Sequence, residues 1–452
     1  MNRLSRARTL AYSCGQLAAG LYFAFNQYVL PLYLEMFTSN KILIGWLSST
    51  RSFEQSIIQP LVGARSDRTW TRFGRRAPYF LAMMPLTAAL LVLNGLLPTP
   101  SKPDEPPVFW LVVIIIFAFS LIFNVGIDPY YALLVDVTSA EERGAKSGFA
   151  QLCGFLGQFV ILIAALYLWS RNPFAVWLLV AVGLVVGFGI VAAGVREPRV
   201  LGHIERLAPV TIAGSGRLLV RLLEYARGLY ATQREAAKLL GIRFIYQFGI
   251  NAAAPFLTLF LEHEIGLNGW PEMLAAFPFL TAIGLDQVDP AGLALMISAI
   301  FLVLQLAWAL PVGALGDRFG KKQVFQFGLL VMGITALAAA GATTVPQILI
   351  CLLFLGFGNA AQTVLFGVYL ADLIPLERVG EFTGLSAFAE TGGYFLSIVV
   401  AGALLNWNLF GLQYRLVFIL TGIFLLAAVI GLRFVKARLT FDAPAIAPVS
   451  AG

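Results

Sequence analysis

Charge is what this chain has least of. Asp, Glu, Lys and Arg make up 12% of its 452 residues against 59% hydrophobic residues, whereas a soluble domain carries roughly 25% charged residues. So few charges cannot cover a water-facing surface, and a soluble globule is excluded. Cysteine occurs three times, at Cys14, Cys153 and Cys351. An odd number without metal-ligand spacing excludes a disulfide framework or zinc site; lying in or at the ends of apolar segments, the three read as packing residues. The two histidines, His203 and His263, fall in or beside loops, which points to neither a relay nor a metal. No phosphate-binding glycine loop, metal cluster or nucleophile triad occurs. The sequence therefore implies no cofactor, no metal, no ATP-driven pumping and no enzyme.

Long apolar runs are what it has in abundance. A helix crossing a ~30 Å hydrocarbon layer needs about 20 apolar residues, and such segments recur at about 9–36, 42–64, 77–97, 108–136, 146–169, 174–195, 238–261, 291–314, 323–343, 347–373, 382–405 and 416–435. Barrel strands would alternate in polarity instead. The fold class is thus an all-α membrane protein of twelve transmembrane helices. Arg3, Arg6 and Arg8 lead into a first segment too long for a signal core, so it is expected to remain as the first helix.

The net charge of +7 is not a nucleic-acid signal, because the cations gather in alternate loops. Arg65 to Arg76, Arg143, Arg196 to Arg234, Arg318 to Lys322, Arg378 and both chain ends share one side, which the positive-inside rule makes the cytoplasm. The opposite loops hold Lys41, Lys102, Arg171 and Arg415 with several acids, among them Glu264, Glu272, Asp286 and Asp289. This describes a multi-pass protein of the plasma or inner membrane, with both termini cytoplasmic and the lipid bilayer as its surroundings. The far segment from Glu262 to Pro290 is long and reads either as a short interfacial helix over the outer mouth or as a structured loop.

Two motifs occur twice. Gly63, Asp67, Arg68, Gly74, Arg75 and Arg76 are echoed by Gly313, Asp317, Arg318, Gly320, Lys321 and Lys322. Asp136 with Glu141 and Gly148 is echoed by Asp372 with Glu377 and Gly384. The repetition divides the chain into a first bundle at 1–195, a linker at 196–237 and a second bundle at 238–452, with a cavity between the bundles near the midplane. The motif carboxylates and cations read as charge latches at a membrane face, with Gly63 and Gly74 permitting tight reversals.

Gly-x-x-x-Asp-Arg followed by an aromatic-Gly pair and two cations resembles the loop between the second and third helices of major facilitator superfamily transporters, repeated between the eighth and ninth. Within that superfamily Gln59-Pro60, Ser66-Asp67-Arg68, Arg72-Phe73-Gly74-Arg75-Arg76-Ala77-Pro78-Tyr79 and Pro129-Tyr130-Tyr131-Ala132-Leu133-Leu134-Val135-Asp136 are similar to the glycoside–pentoside–hexuronide cation symporters, especially the sucrose–proton branch. The resemblance implies proton-coupled symport of a sugar or glycoside by alternating access. It also implies that spans one, four, seven and ten line the cavity. The chain departs from the pattern where that branch has a fourth-helix acid (here Ser120) and a proline-motif Arg (here Tyr131). Melibiose-type relatives carry the second-helix acids of a sodium site where this chain has Gln55 and Gln59, so neither the family's proton site nor its sodium site carries over intact; the coupling ion expected is a proton ahead of sodium. These departures keep open a carrier or exporter of an amphipathic, lipid-like solute, or a non-transporting membrane assembly factor.

Ionisable residues inside a membrane helix are costly and invite a functional reading. Asp128 is the first candidate for the proton site, Glu54 the second, and Arg51 the partner that alternates with substrate. Counting ~1.5 Å per residue puts Glu54 roughly 14 Å and Asp128 roughly 12 Å from the cytoplasmic helix ends. A permanent Arg51–Glu54 ion pair that positions two helices is the alternative. Glu390 is similarly deep with no cation evident nearby in sequence. Tyr22, Asn26, Asn124, Tyr131, Gln247, Asn251, Asn359 and Gln362 supply amide and aromatic groups suited to sugar hydroxyls and C–H faces. Trp308 is expected to form an aromatic wall of the cavity.

Overall fold

The computed structural model describes residues 5–49, 62, 65–66, 71–100, 107–138, 140–197, 233–282, 284–374, 379–408 and 411–436. The long helices follow the expected spans. α1 runs through Arg6–Ala24, a π-turn at Phe25–Val29 and Leu30–Glu35; α2 is described at Lys41–Leu47. α3 is Ala77–Gly95, α4 Pro107–Val137, α5 Ala140–Leu168 and α6 Pro173–Gly194. α7 begins with Arg234–Ala253 and continues through short turns to Ile265. α8 is Pro290–Phe319, α9 Lys321–Ala340, α10 Val345–Ala371, α11 Val379–Asn406 and α12 Arg415–Leu432. Among the described residues, ten helices, α3 to α12, are long and apolar enough to cross a membrane. α1 is as long but less apolar, because it carries Gln16, Asn26, Gln27 and four tyrosines, of which Gln16, Asn26 and the tyrosines are buried.

Both α1 and α7 are irregular about two thirds of the way along, and proline accounts for it. Pro31 and Pro255 lack an N–H, and each ring conflicts with the carbonyl four residues earlier, Gln27 and Asn251. The chain answers with the π-turn in α1 and a 3₁₀ turn at Ala254–Phe256 in α7. Polar side chains bond the loosened backbone: the Asn26 amide donates to the Tyr22 carbonyl at 3.1 Å and the Asn251 amide to the Gln247 carbonyl at 2.8 Å.

Packing repeats with a shift of six helices. α1 packs on α5 and α6 as α7 packs on α11 and α12, and α3 packs on α4 and α6 as α9 packs on α10 and α12. Across the centre α5 meets α8 as α11 meets α2. This is the twofold relation expected of a duplicated six-helix bundle. Lipid tails are as apolar as leucine, so helix association depends on close van der Waals approach, which small residues permit. A side chain on Gly20 would begin 2.0 Å from the Gly154 carbonyl oxygen, and one on Gly157 2.0 Å from the Leu17 carbonyl oxygen. Glycine holds α1 and α5 in backbone contact.

The end of α8 lies beyond the expected boundary. Asp317 and Arg318 belong to its last turn, and the helix stops at Gly320, whose φ of +94° suits glycine. The far segment resolves into short helices at Trp270–Ala276 and Phe279–Ala282; Trp270 is buried and donates to the Leu285 carbonyl at 3.2 Å.

Replacing Gly157 with valine should force α1 and α5 apart and cost about 2 kcal/mol or more, read as a lower thermal midpoint of the purified protein. Gly189→Val, where a side chain would meet nothing within 4 Å, should leave that midpoint nearly unchanged.

Candidate functional site

The repeated motifs meet in space, half by half, at one membrane face. In the first half a tight turn closes between Thr71 and Gly74, with backbone bonds of 3.0 and 3.1 Å. Gly74 has φ +105°, and a side chain there would strike the Glu197 carboxyl at 2.9 Å. Glu197, buried after α6, accepts the backbone N–H groups of Arg75 and Arg76 at 2.9 and 2.7 Å, so it stands as the missing acidic cap of α3. The two arginine side chains reach across to Asp136 at the end of α4, at 2.6 and 3.0 Å. In the second half Lys321 binds Asp372 at the end of α10 at 2.8 Å.

Each latch therefore ties neighbouring helices of one half rather than the two halves to each other. Asp317 and Arg318 take no part in the second-half latch of this structure. Both are exposed on the last turn of α8, Asp317 makes no ion pair with another described residue, and Asp372 is the carboxylate held. Gly313 lies inside α8, and Gly316 makes the close approach, to Leu365. Gly63, Asp67, Arg68 and Glu377 lie outside the described residues, as does the side chain of Glu141. Glu197 escaped sequence reasoning because its role depends on where α6 ends relative to α3.

Inside the first half, Asp128 and Asn124 sit on α4 with exposures of 7% and 1%. The Asn124 amide nitrogen is buried without a hydrogen-bond partner among the described residues. Arg51 and Glu54 lie outside those residues. Tyr22 is fully buried, stacked on Phe123 at 3.7 Å and edge-on to Phe119. Asn26 spends its amide on the α1 backbone, as above. Tyr131 is half-buried beside Tyr130, which itself stacks on Tyr12 at 4.6 Å and donates to the Tyr12 carbonyl at 2.8 Å. Tyr22 and Asn26 thus belong to the packed interior around α1, not to an open wall.

The second half contains a cavity of about 330 Å³ on the latch side of the bundle. Gln247 from α7, Gln362 and Phe366 from α10, and Ser386 and Glu390 from α11 line it, with Arg243. Arg243 overturns the expectation that Glu390 has no cation nearby. Its guanidinium is ion-paired with Glu390, donates to the Tyr246 hydroxyl at 3.2 Å and lies 3.9 Å over the Phe366 ring. The signal was present in the sequence as a lone cation within an apolar span.

Gln362 donates to Asn359 at 2.8 Å, and Asn251 to the Gln247 side chain at 3.3 Å. The cavity therefore gathers Gln247, Gln362 and Glu390, while Asn251 and Asn359 support them from behind. Trp308 is not among its lining residues. The indole donates to the Leu353 carbonyl at 3.1 Å and packs edge-on against Phe357, sealing the α8–α10 seam.

At the opposite face the two halves meet. Glu35 at the end of α1 accepts from Lys41 at 2.6 Å and from Tyr414 at 2.8 Å, and pairs with His263 at 2.6 Å. Asn406 bonds Asn40 at 3.0 Å and accepts the Lys41 backbone N–H at 2.7 Å. Burial first, then the Glu35 charge, pushes the Tyr414 phenol well above its ordinary range, so it stays a donor. His263, whose place beside a loop points to neither a relay nor a metal, reaches Glu35 across the halves. It is a contact between halves, and its donor atom lies within 4.8 Å of carboxylate oxygens of Glu35 and Glu262. A metal could bridge such a trio, but the Lys41 ammonium already supplies the cation at Glu35.

The Major Facilitator Superfamily model matches residues 12–285 and 239–446. An uncharacterized symporter, YnaJ, of Bacillus subtilis (strain 168) is 24% identical over 429 residues, covering 90% of this chain and 84% of that protein. An isoprimeverose transporter of Lactiplantibacillus pentosus is 24% identical over 427 residues, covering 90% and 81%. Among solved structures, the inward open xylose transporter XylE from E. coli superposes with a TM-score of 0.63 at 15% identity, covering 96% of this chain and 97% of that one. A D-xylose-proton symporter gives 0.63 at 18% identity, covering 95% and 97%. These relatives are transporters, not enzymes.

Arg243→Met should leave Glu390 beside the cavity without this cation and lower stability by about 2 kcal/mol, somewhat less than for a sealed pair because the Glu390 side chain is 31% exposed. Adding Glu390→Gln should recover most of the thermal midpoint. Additive losses in the double variant would mean the two groups do not act as a pair.

Proposed function

The chain belongs to the Major Facilitator Superfamily, and we propose that it is a proton-coupled symporter that takes up a sugar or glycoside by alternating access. The observation that carries this reading is the composition of the second-half cavity. Two glutamines, a serine and an internally neutralised Arg243–Glu390 pair offer donors and acceptors without a net charge. Such a lining suits an uncharged polyhydroxyl solute, and Phe366 offers an aromatic surface for its C–H groups. The names of the relatives, an isoprimeverose transporter and a D-xylose-proton symporter, agree with that chemistry.

The distribution of loop cations puts both termini in the cytoplasm. The latch face is then the inner face, and the face joined through Glu35 is the outer one. In this state the outer side is closed and the second-half cavity lies toward the cytoplasm. The proton site is Asp128. Buried on α4 four residues from Asn124, it is held charged when a cation is near and driven toward the neutral acid when conformational change removes that cation. Arg51 is the partner proposed for it, with Glu54 and Glu390 as further titrating groups. The bundles extend over 1–195 and 238–452, with 196–237 as the cytoplasmic linker.

Proteoliposomes loaded with a pH gradient should accumulate labelled isoprimeverose or D-xylose only while the gradient lasts. Asp128→Asn should abolish accumulation yet keep counterflow exchange. Coupled uptake surviving in Asp128→Asn would remove Asp128 from the mechanism. Accumulation indifferent to the gradient would instead favour a carrier of amphipathic solutes working without proton symport.

A further inference from the structure

The cluster around Glu35 is absorbed neither by the cavity nor by the latches, yet it joins the halves. Its charged and titratable members come from every element packed there. Glu35 ends α1 and Lys41 begins α2; Glu262, His263 and Glu264 end α7; Asp289 precedes α8; Tyr414 and Arg415 open α12. Most have fixed tasks. Arg415 is held by Glu264 at 3.0 Å and by the Ala340 carbonyl at 2.9 Å, and Asp289 caps α8 through the Gly292 N–H at 2.8 Å. Lys41 neutralises Glu35 from within the same half, and it also reaches across the halves through its backbone N–H to Asn406 and its ammonium 5.0 Å over the Tyr414 ring. Tyr414 crosses between halves but remains a neutral donor. His263 also crosses, its side chain is 44% exposed to water, and imidazole is the side chain whose charge changes between about pH 5 and 8.

We propose that Glu35 and His263 form a proton-responsive latch on the outer face, in which the imidazolium of His263 holds the two halves together and its deprotonation releases them. The sign follows from the contact. At low external pH the bond is charge-assisted on both sides; at high pH a neutral imidazole donates only an ordinary hydrogen bond, roughly half as strong. Protons outside would thus favour closure behind a loaded solute. The inference rests on the alternating-access reading but not on which solute is carried.

The test uses the full chain in lipid nanodiscs, with Cys14, Cys153 and Cys351 replaced and a metal chelator present. Spin labels go on Arg171→Cys and Ala276→Cys, exposed positions at the outer ends of the two halves. Without solute, the longer-distance population should grow about fivefold between about pH 5.5 and about pH 8.5. His263→Gln should hold the high-pH distribution at both values, and His263→Arg the low-pH one. A wild-type distribution that ignores pH, moves the opposite way, or keeps its response in His263→Gln overturns the proposal. Glu35→Gln separates the two levels. If it opens the outer face while pH does not, only the latch proposal fails; if no condition or variant moves the labels, the alternating-access reading falls with it.

Discussion

The structure depends on the cost of holding charge inside or at the edge of a hydrocarbon layer. That cost cannot be met by water, so partners must come from other helices. Asp136 takes both Arg75 and Arg76, Asp372 takes Lys321, and Arg243 takes Glu390. Each pairing ties segments distant in sequence, and together they set how α3 meets α4, α9 meets α10 and α7 meets α11. The pairs thereby act as registers for helix position as well as neutralised charge.

Duplication explains why these registers recur and where they differ. Gly74 and Gly320 both take positive φ, and each precedes the cation that reaches the carboxylate at the end of the helix after next in its half. The first half adds Glu197 as a backbone cap. The proline-loosened stretches of α1 and α7 likewise match, each with an asparagine bonding the carbonyl four residues back. The functional consequence diverges. Around α1 the Asn26 amide is buried and bonded to its own backbone, whereas around α7 the neighbouring Gln247 lines a cavity.

Asymmetry also marks the two membrane faces. The latches bind helices within a half and so can persist while the halves rock. The cluster at Glu35 binds across the halves, and in the proposed alternating-access cycle it is the contact that breaks when its own face opens. A rigid-body cycle requires this division, because one set of contacts preserves each bundle and the other reports which side is closed.

Hydropathy along the chain determined the order of the long helices among the described residues, and two echoed motifs pointed to the twofold architecture. Both are local properties, since a helix satisfies its own backbone and needs only length and apolar composition to span a bilayer. The positions of Asp136, Asp372 and Glu390 near a membrane face or within a span were legible for the same reason. Their partners were not. Glu197 under Gly74, Arg243 beside Glu390, His263 against Glu35 and the turning of Trp308 into the α8–α10 seam are matters of which helix faces which. Sequence spacing orders side chains along and around one helix, but only packed tertiary structure decides what stands opposite, because a charge's partner is chosen by distance in space, not by separation along the chain.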